Sequence, residues 1–296
     1  MFVAADGPWA RIGAQARQRP HATALVAAGR AWTFADLQRE VDAAVESLRA
    51  DGLGAGDSQG WLGLNTPAML AALFACERIG ARFVPLNWRL AAAELATIVE
   101  HAGLQRLHVD DALRPLGDGL RALVTLPQSR APGHEPGDLM LVYTSGTTGR
   151  PKGAIHTAVG MAANIDAALD AQGFDGRTRA LAVLPLFHVG GLAIQTLPVL
   201  AAGGCVVLHE RFEPGAWLAA VAHDRPTTSL LVPATMRAVV EHLAWPAADL
   251  SSLAFVNSGS QVVPVPLIEA FHARGVPVAQ VWGSTETGPV SIVLRP

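Results

Sequence analysis

The chain has 296 residues, of which 50% are hydrophobic, and its formal net charge is −3 at pH 7. This balance gives no reason to expect binding to nucleic acid or to an anionic membrane surface. Two cysteines make neither a disulfide framework nor a metal site, and Met1 is not followed by the basic and apolar regions of a signal peptide. We therefore expect a globular, cytoplasmic protein with enough apolar residues for one large core or two moderate ones.

In the first half of the chain, apolar strands alternate with helices. Pro67 stands at a typical first helical position and Gly80 at a typical helix end, with Asn65 or Thr66 as the expected N-cap. A second helical pattern ends before Gly103. The predicted elements are strands at 58–64 and 104–109, helices at 67–79 and 92–102, and a Pro- and Gly-rich connector at 117–137.

Lys152 is the only lysine in the chain, against 21 arginines, and it lies in the run Tyr143-Thr-Ser-Gly-Thr-Thr-Gly-Arg-Pro-Lys-Gly153. A compact ammonium suits phosphate binding, while glycines let backbone N–H groups approach an anion and hydroxyls add donors. A strand at 139–143 precedes the run, and we predict a helix at 154–169 after it, the order typical of phosphate sites. A Walker A loop is disfavoured, because Pro151 stands where a glycine–lysine pair is required.

The second half repeats the alternation of strands and helices, which predicts a parallel sheet covered by helices. The stretch 180–209 contains no Asp, Glu, Lys or Arg and is long enough to cross a bilayer. Its prolines and glycines divide it into short pieces, so we predict a strand, a helix and a strand rather than a membrane span. The predicted strands lie near 180–184, 204–208, 229–232, 253–257 and 278–281.

The run 143–153 resembles the signature of the adenylate-forming superfamily, which includes acyl- and aryl-CoA synthetases, peptide-synthetase adenylation domains and beetle luciferases. Further segments are similar to other motifs of this family, in the same order and at similar spacing. They are the segment from Ala75 that ends in Val84-Pro-Leu-Asn87, then Pro185-Leu-Phe-His-Val-Gly-Gly191, Asn257-Ser-Gly-Ser-Gln261 and Val281-Trp-Gly-Ser-Thr-Glu-Thr-Gly288. The motifs come closest to those of acyl- and aryl-CoA ligases.

The resemblance implies an α/β fold in which two mainly parallel sheets pack with helices as an αβαβα arrangement. Residues 1–296 would form an incomplete AMP-binding N-terminal domain, without the C-terminal barrel and lid domain of the family. One subdomain would use about 60–178, with the phosphate loop at 143–153, and the other about 180–290 with part of 1–59. Apolar surface beside Val290, Ile292, Val293 and Leu294 would then be uncovered, so we expect self-association through this end.

The resemblance also implies the activity: ATP-dependent conversion of a small carboxylic acid to an acyl-adenylate, then transfer to CoA, with Mg²⁺ as the metal. The implied catalytic residues are Lys152, Thr144 and Glu286, of which Glu286 would hold Mg²⁺. The implied nucleotide-binding residues are Ser145, Gly146, Thr147, Thr148, Gly149, Gly259, Ser260, Gln261, Trp282, Gly283 and Thr285. The implied substrate-pocket residues are His188, Gly190, Val232 and Ser258.

Two positions depart from relatives in ways that bear on function. Trp282 stands where the family usually has tyrosine; its indole could stack on adenine or simply fill the core. His188 stands where amino-acid-activating relatives place an aspartate for the substrate's ammonium group, which disfavours an α-amino acid substrate. Two alternatives to the acid–CoA ligase stay open: an acyl-AMP ligase that feeds a carrier protein, and a nucleotide- or acyl-binding fragment without turnover.

Overall fold

The computed structural model describes residues 7–127, 133–144 and 151–295. Thirteen strands occur in these ranges. They are β1 (Thr23–Ala27), β2 (Arg30–Thr33), β3 (Ser58–Leu62), β4 (Arg82–Pro85), β5 (Arg106–Val109), β6 (Asp138–Thr144), β7 (Lys152–Thr157), β8 (Arg179–Ala182), β9 (Cys205–Leu208), β10 (Thr228–Leu231), β11 (Phe255–Gly259), β12 (Val278–Ser284) and β13 (Gly288–Leu294).

The helices of the described residues connect these strands. They are α1 (Pro8–Gln18), α2 (Phe34–Ala50), α3 (Pro67–Ile79), α4 (Ala92–Ala102), α5 (Arg114–Arg121), α6 (Ala158–Gln172), α7 (Val189–Gly191), α8 (Leu197–Ala201), α9 (Pro214–Asp224), α10 (Pro233–Val240) and α11 (Val265–His272). A π-helical turn, Leu192–Thr196, joins α7 to α8, and single 3-10 turns lie at Asp111–Leu113 and Trp245–Ala247.

The strands form two mainly parallel sheets. The first sheet has the order β5-β3-β4-β6-β7, and its strand β7 runs antiparallel to β6. The second has the order β13-β12-β11-β10-β8-β9-β1-β2, and its outermost strands β13 and β2 are antiparallel to their neighbours. The N-terminal strands β1 and β2 therefore belong to the second sheet, whereas the division of the chain into two subdomains stays a prediction.

Apolar packing divides the molecule into five layers. The largest core cluster contains residues of α1, α2, α3, α6 and α8 together with residues of both sheets, so these helices lie between the sheets. Helices α9, α10 and α11 cover the other face of the second sheet, and α4 and α5 that of the first. The predicted αβαβα arrangement is confirmed.

Helix α3 shows how local sequence sets these layers. The Thr66 side chain accepts a hydrogen bond from the backbone N–H of Met69 at 3.2 Å, Pro67 occupies the first turn, and Gly80 ends the helix in the left-handed conformation. The helix is buried on most of its circumference because it lies between the sheets. The predicted start and end of this helix are confirmed.

The prediction of a helix at 154–169 was wrong at its beginning. Residues 152–157 form β7, whose register against β6 pairs Lys152 with Thr144. Helix α6 starts only at Ala158, where the Thr157 hydroxyl accepts a hydrogen bond from Gly160 N at 3.0 Å. The described ends of the signature run thus belong to the antiparallel pair β6 and β7, and strand β7, not a helix, follows the run. The predicted connector at 117–137 was likewise partly wrong, because its first residues belong to helix α5, which buries Leu120.

Strand β13, which the sequence did not predict, forms the edge of the second sheet. Its side chains Ile292 and Leu294 are 63% and 60% exposed. Self-association through this apolar surface stays a prediction. Within the ranges that the structure describes, no helix has both the length and the apolar character needed to span a membrane.

Candidate functional site

Two neighbouring cavities lie at the carboxyl ends of the strands, one for each sheet. The first-sheet cavity has a volume of about 520 Å³ and the second-sheet cavity about 640 Å³. In open α/β sheets, ligands bind outside the carboxyl ends of the strands because the connecting loops converge there. Both cavities therefore lie where the topology favours a ligand.

The first-sheet cavity is built by the ends of β4 and β6 and by helix α4. Tyr143 and Thr144 close β6, and a hydrogen bond of 2.6 Å joins the Tyr143 hydroxyl to His101 Nδ1. Burial raises the pKa of Tyr143 to about 12, so this hydroxyl stays protonated at neutral pH. The lining residues are Pro85, Leu86, Asn87, Leu90, Glu94, Thr97, Ile98, Tyr143, Thr144, Pro151, Phe187, His188 and Thr285.

The second-sheet cavity crosses the carboxyl ends of β9, β8, β10, β11 and β12. Its walls are mainly apolar, and two arginines are the only permanently charged residues among the described ones that line it. The lining residues are Trp88, Arg89, Leu184, Pro185, His188, Val189, Gly190, Gly191, Ile194, Arg211, Phe212, Val232, Ala234, Thr235, Ser260, Val281, Gly283, Ser284, Thr285 and Pro289.

His188 and Thr285 line both cavities and thus form their common wall. The imidazole of His188 lies 4.4 Å from the Phe187 ring, centroid to centroid. Burial lowers the pKa of His188, and the positive charge of Arg89 lowers it further. His188 is therefore a neutral group at physiological pH, able to donate one hydrogen bond and accept another.

The predicted phosphate-binding residues are only partly described. Thr144 lines the first-sheet cavity, and Lys152 is its cross-strand partner, exposed and without a salt bridge to any described residue. Ser145, Gly146, Thr147, Thr148 and Gly149 lie outside the described residues. Thr144 and Pro151, the described residues on either side of them, both line this cavity.

Glu286 lies in the tight turn between β12 and β13. Reciprocal hydrogen bonds of 3.2 Å between the backbone and hydroxyl groups of Ser284 and Thr287 fix this turn. Burial lowers the pKa of His156, and the negative charge of Glu286 opposes part of this lowering. Because His156 is on β7, the turn of the second sheet lies near the hairpin that carries Lys152.

The exposed carboxylate of Glu286 fits magnesium better than a metal that needs a protein cage. No group of three His, Cys, Asp or Glu side chains within the described ranges could hold a metal ion. Mg²⁺ commonly takes only one or two carboxylates and completes its shell with phosphate oxygens and water. Glu286 could supply that carboxylate beside a nucleotide.

The other predicted nucleotide-binding residues lie around the ends of β11 and β12. A side chain at Gly259 would overlap the carbonyl oxygen of Val281, so glycine is required for these strands to pair. Ser260, with a φ of 71°, lines the second-sheet cavity together with Gly283 and Thr285. Gln261 is exposed at the following position.

Trp282 is 60% exposed, so the interpretation of this residue as a core filler was wrong. Large aromatic side chains are normally buried, and a solvent-facing indole offers a flat surface for stacking. The indole follows Val281 and precedes Gly283, both of which line the second-sheet cavity.

Among the predicted substrate-pocket residues, the structure brings His188, Gly190 and Val232 to the second-sheet cavity. It does not bring Ser258 there. Ser258 is buried within β11, and its hydroxyl has no hydrogen-bond partner among the described residues. The roles assigned to these four residues stay predictions.

Sequence reasoning missed the residue that joins the two sheets. Asn65, 4% exposed, donates hydrogen bonds of 3.0 Å from its amide nitrogen to the carbonyl oxygens of Leu184 and His209. Its amide oxygen accepts a bond of 2.8 Å from Leu186 N, and its own N–H donates to Glu210 O at 3.2 Å. The available signal in the sequence was the position of Asn65: it is a polar residue between the buried strand β3 and helix α3, which Thr66 already caps.

Comparison with known proteins agrees with this geometry. A family model described as AMP-binding enzyme matches residues 12–296. The chain is 38% identical to an indoleacetate–CoA ligase of Aromatoleum aromaticum, over 96% of this chain and 61% of the relative. It is 40% identical to a feruloyl-CoA synthase of an Amycolatopsis species, over 95% of this chain and 60% of the relative.

A solved structure adds evidence for the fold. The o-succinylbenzoate CoA synthetase of Bacillus subtilis, in complex with ATP and magnesium ion, superposes with a TM-score of 0.84 at 28% identity, covering 96% of this chain and 61% of the synthetase. The chain spans about three fifths of the length of the curated relatives it matches. From the family match over nearly its whole length, the signature hairpin and the paired cavities, we conclude that the chain belongs to the AMP-binding enzyme family.

Proposed function

We propose that this chain carries the nucleotide- and acid-binding part of an ATP-dependent carboxylic acid–CoA ligase. The observation that carries the proposal is the common wall of the two cavities, formed by His188 and Thr285. One cavity opens beside the signature hairpin, where phosphates would bind, and the other is mainly apolar. The phosphates of a nucleotide on one side of this wall and the carboxylate of an organic acid on the other would meet at it.

The charges of the second-sheet cavity favour an acid without an amino group. The described residues of its lining include Arg89 and Arg211 but no aspartate or glutamate. A substrate ammonium group would meet these two positive charges, whereas a carboxylate would be attracted. The similarity to ligases named for indoleacetate and ferulate supports an aryl or acyl acid as the substrate.

Lys152, Thr144 and the loop between them would hold the β- and γ-phosphates of ATP. The exposed ammonium of Lys152 can move to neutralise the pyrophosphate as it leaves. Glu286 would hold Mg²⁺, which when bound neutralises phosphate charge and orients the phosphate oxygens. Trp282, Ser260 and Gln261 would contact the adenosine, with the indole of Trp282 stacked on the adenine ring.

The reaction requires positioning rather than proton removal by the protein. An oxygen of the substrate carboxylate attacks the α-phosphorus of ATP, and the bond to pyrophosphate breaks. In the second step, the sulfur of CoA attacks the acyl carbon, the thiol proton passes to solvent, and the bond to AMP breaks as AMP leaves. Neutral His188 could donate a hydrogen bond to the reacting carboxylate, and the aligned reactants would lose little further entropy on reaction.

Titration of the chain with MgATP tests the nucleotide site. Lys152→Ala should weaken MgATP binding roughly tenfold to a hundredfold, because a hydrogen bond to a charged group contributes about 1.5–3 kcal/mol. Arg17→Ala is the matched control: it removes one positive charge from an exposed position of α1, outside both cavities. Equal affinities of the two variants would refute the assignment of Lys152.

Acid-dependent exchange of pyrophosphate into ATP tests the chemistry. Exchange with aryl or acyl acids but not with α-amino acids is expected of the ligase in complete form. Thioester formation with CoA distinguishes it from an acyl-AMP ligase that feeds a carrier protein. If the chain binds MgATP but supports no exchange, we would conclude that it acts as a nucleotide-binding module.

A further inference from the structure

The second-sheet cavity carries more positive charge than a simple apolar acid requires. Two arginines line it, and the lining residues that the structure describes include no acidic side chain to balance them. Both arginines are exposed, so each guanidinium is accessible to a ligand that enters the cavity. We propose that Arg211 recognises a second anionic group, such as a carboxylate, on the acid substrate. This inference rests on the proposed function and names the class of acid.

Arg89, the other arginine, is already occupied by contacts at the common wall. Its guanidinium lies 5.1 Å from the centroid of the Trp88 ring and 5.9 Å from that of Phe187. Its charge also reaches His188, whose pKa it lowers. Arg89 therefore belongs to the end of the cavity where the two cavities meet.

Arg211 has no such contacts. It forms no salt bridge and no side-chain hydrogen bond with any residue in the described ranges. The adjacent acid, Glu210, forms no salt bridge with Arg211 in the structure, and the next one, Glu213, is engaged elsewhere: its carboxylate caps α9 by accepting hydrogen bonds from the backbone N–H groups of Gly215 and Ala216. The five guanidinium donors of Arg211 are thus available to a ligand.

The backbone before Arg211 is held in place by the inter-sheet contact. Asn65 donates from its side chain to His209 O and from its backbone to Glu210 O. Asn65 is itself fixed, because its amide oxygen accepts from Leu186 N. A side chain that extends from such a supported segment is better placed for selective recognition than one on an unsupported loop.

The position of Arg211 in the sheet places it far from the phosphate end of the cavity. Thr285 follows β12, and Arg211 follows β9, which is four places away in the order β12-β11-β10-β8-β9. At about 4.8 Å between strands, this separation is roughly 19 Å along the edge of the sheet. An extended aromatic acid and the long arginine side chain together can bridge this distance.

The chemical class follows from the guanidinium group. Its planar fork binds a carboxylate through two parallel hydrogen bonds, which gives both strength and orientation. The reacting carboxylate would lie at the common wall, and the second anionic group at Arg211. A para-substituted aryl dicarboxylic acid has this form.

Three matched probes test the proposal: 4-carboxycinnamate, cinnamate and the uncharged 4-carbamoylcinnamate. Titrated into the protein with MgATP present, 4-carboxycinnamate should bind about tenfold more tightly than either of the others, because charge-assisted pairs are stronger than neutral ones. Arg211→Gln should abolish this preference and leave the affinity for cinnamate unchanged. Arg211→Lys should keep part of it, and Arg17→Gln all of it.

Other outcomes separate the two levels of the argument. Equal binding of the three probes by the unmodified protein, or an equal loss for all of them in Arg211→Gln, would overturn the role of Arg211. A lowered MgATP affinity with unchanged acid preference would instead make Arg211 a phosphate contact and overturn the proposal. The acid–ligase function itself would be refuted if no acid, whether charged or uncharged at its far end, bound to the protein or supported pyrophosphate exchange.

Discussion

The buried polar groups of the molecule and the exposed ones beside the cavities differ in what they bind. Asn65, together with the buried pair of Arg82 and Asp138, is engaged with other parts of the protein. Lys152 and Glu286, in contrast, are exposed and form no salt bridge with described residues. The first group should determine stability, and the second should determine ligand binding, because an unengaged charge is available to a ligand at little cost to the fold.

The largest loss of stability is expected from Asp138→Ala. Asp138 Oδ2 lies 3.6 Å from Arg82 Nη1, and the side chains are 5% and 4% exposed, respectively. Removing one partner leaves a buried charge uncompensated, so the free energy of unfolding should fall by about 3–5 kcal/mol. Urea denaturation measures this free energy. Asp118→Ala, which breaks an exposed pair with Arg121, should lower it by less than about 1 kcal/mol. Similar losses for both would remove the distinction between buried and exposed groups.

The next largest loss of stability is expected from Asn65→Ala, which should lower the free energy of unfolding by about 2–4 kcal/mol. The substitution leaves Leu184 O, His209 O and Leu186 N without their partner, and each buried unsatisfied group costs roughly 1–3 kcal/mol, less where water can enter. Gln38→Ala, which removes only a partly exposed contact with Asp42, is the control and should change stability by less than about 0.5 kcal/mol. A near-neutral Asn65→Ala would show that the two sheets are held together by apolar packing alone.

Glu77 should make stability depend on pH. Burial raises its pKa to about 8 from the ordinary value of 4.5, although its carboxylate accepts a hydrogen bond from Trp9 N. Because the folded pKa is the higher one, this contribution to stability is complete below about pH 4.5 and is lost as the pH rises through about 8. The loss should be on the order of 2 kcal/mol, since water entering beside α1 would relieve part of the penalty.

The control for this pH effect is the isosteric variant Glu77→Gln, which cannot ionise. Its free energy of unfolding, measured by urea denaturation from pH 5 to pH 9, should lack the decline seen in the unmodified protein. Parallel curves for the two proteins would mean that Glu77 does not titrate in this range.

Several features were predictable because their causes are local in sequence. Thr66, Pro67 and Gly80 bound α3 through capping chemistry, and the glycine- and hydroxyl-rich run around Lys152 indicated a phosphate site without any structure. The five-layer arrangement followed from the family resemblance, since the pattern of strands and helices alone predicts only a parallel α/β fold.

Other features depend on contacts between distant segments. Residues 154–157 join β7 rather than a helix because β6 offers them an edge to pair with, which local propensity cannot reveal. Asn65 contacts residues more than a hundred positions away, and Arg211 lines a cavity only because β9 lies beside β8 in the second sheet. In such cases tertiary structure, not the local pattern, decides what a residue does.

The smallest effect on stability is expected at the exposed rim, from Trp282→Ala. With 60% of its surface exposed, Trp282 has little packing to lose, so the free energy of unfolding should change by less than about 0.5 kcal/mol. MgATP affinity should nevertheless fall roughly threefold to tenfold, because an aromatic stack contributes about 0.5–1.5 kcal/mol. Trp282→Tyr should keep most of the affinity, since a phenol also stacks on adenine.

Val262→Ala, at a position 92% exposed, controls for the loss of exposed apolar surface and should change neither stability nor MgATP affinity. A variant Trp282→Ala that unfolds more easily but binds MgATP normally would place this indole with the buried structural groups, and the nucleotide would then have to stack elsewhere.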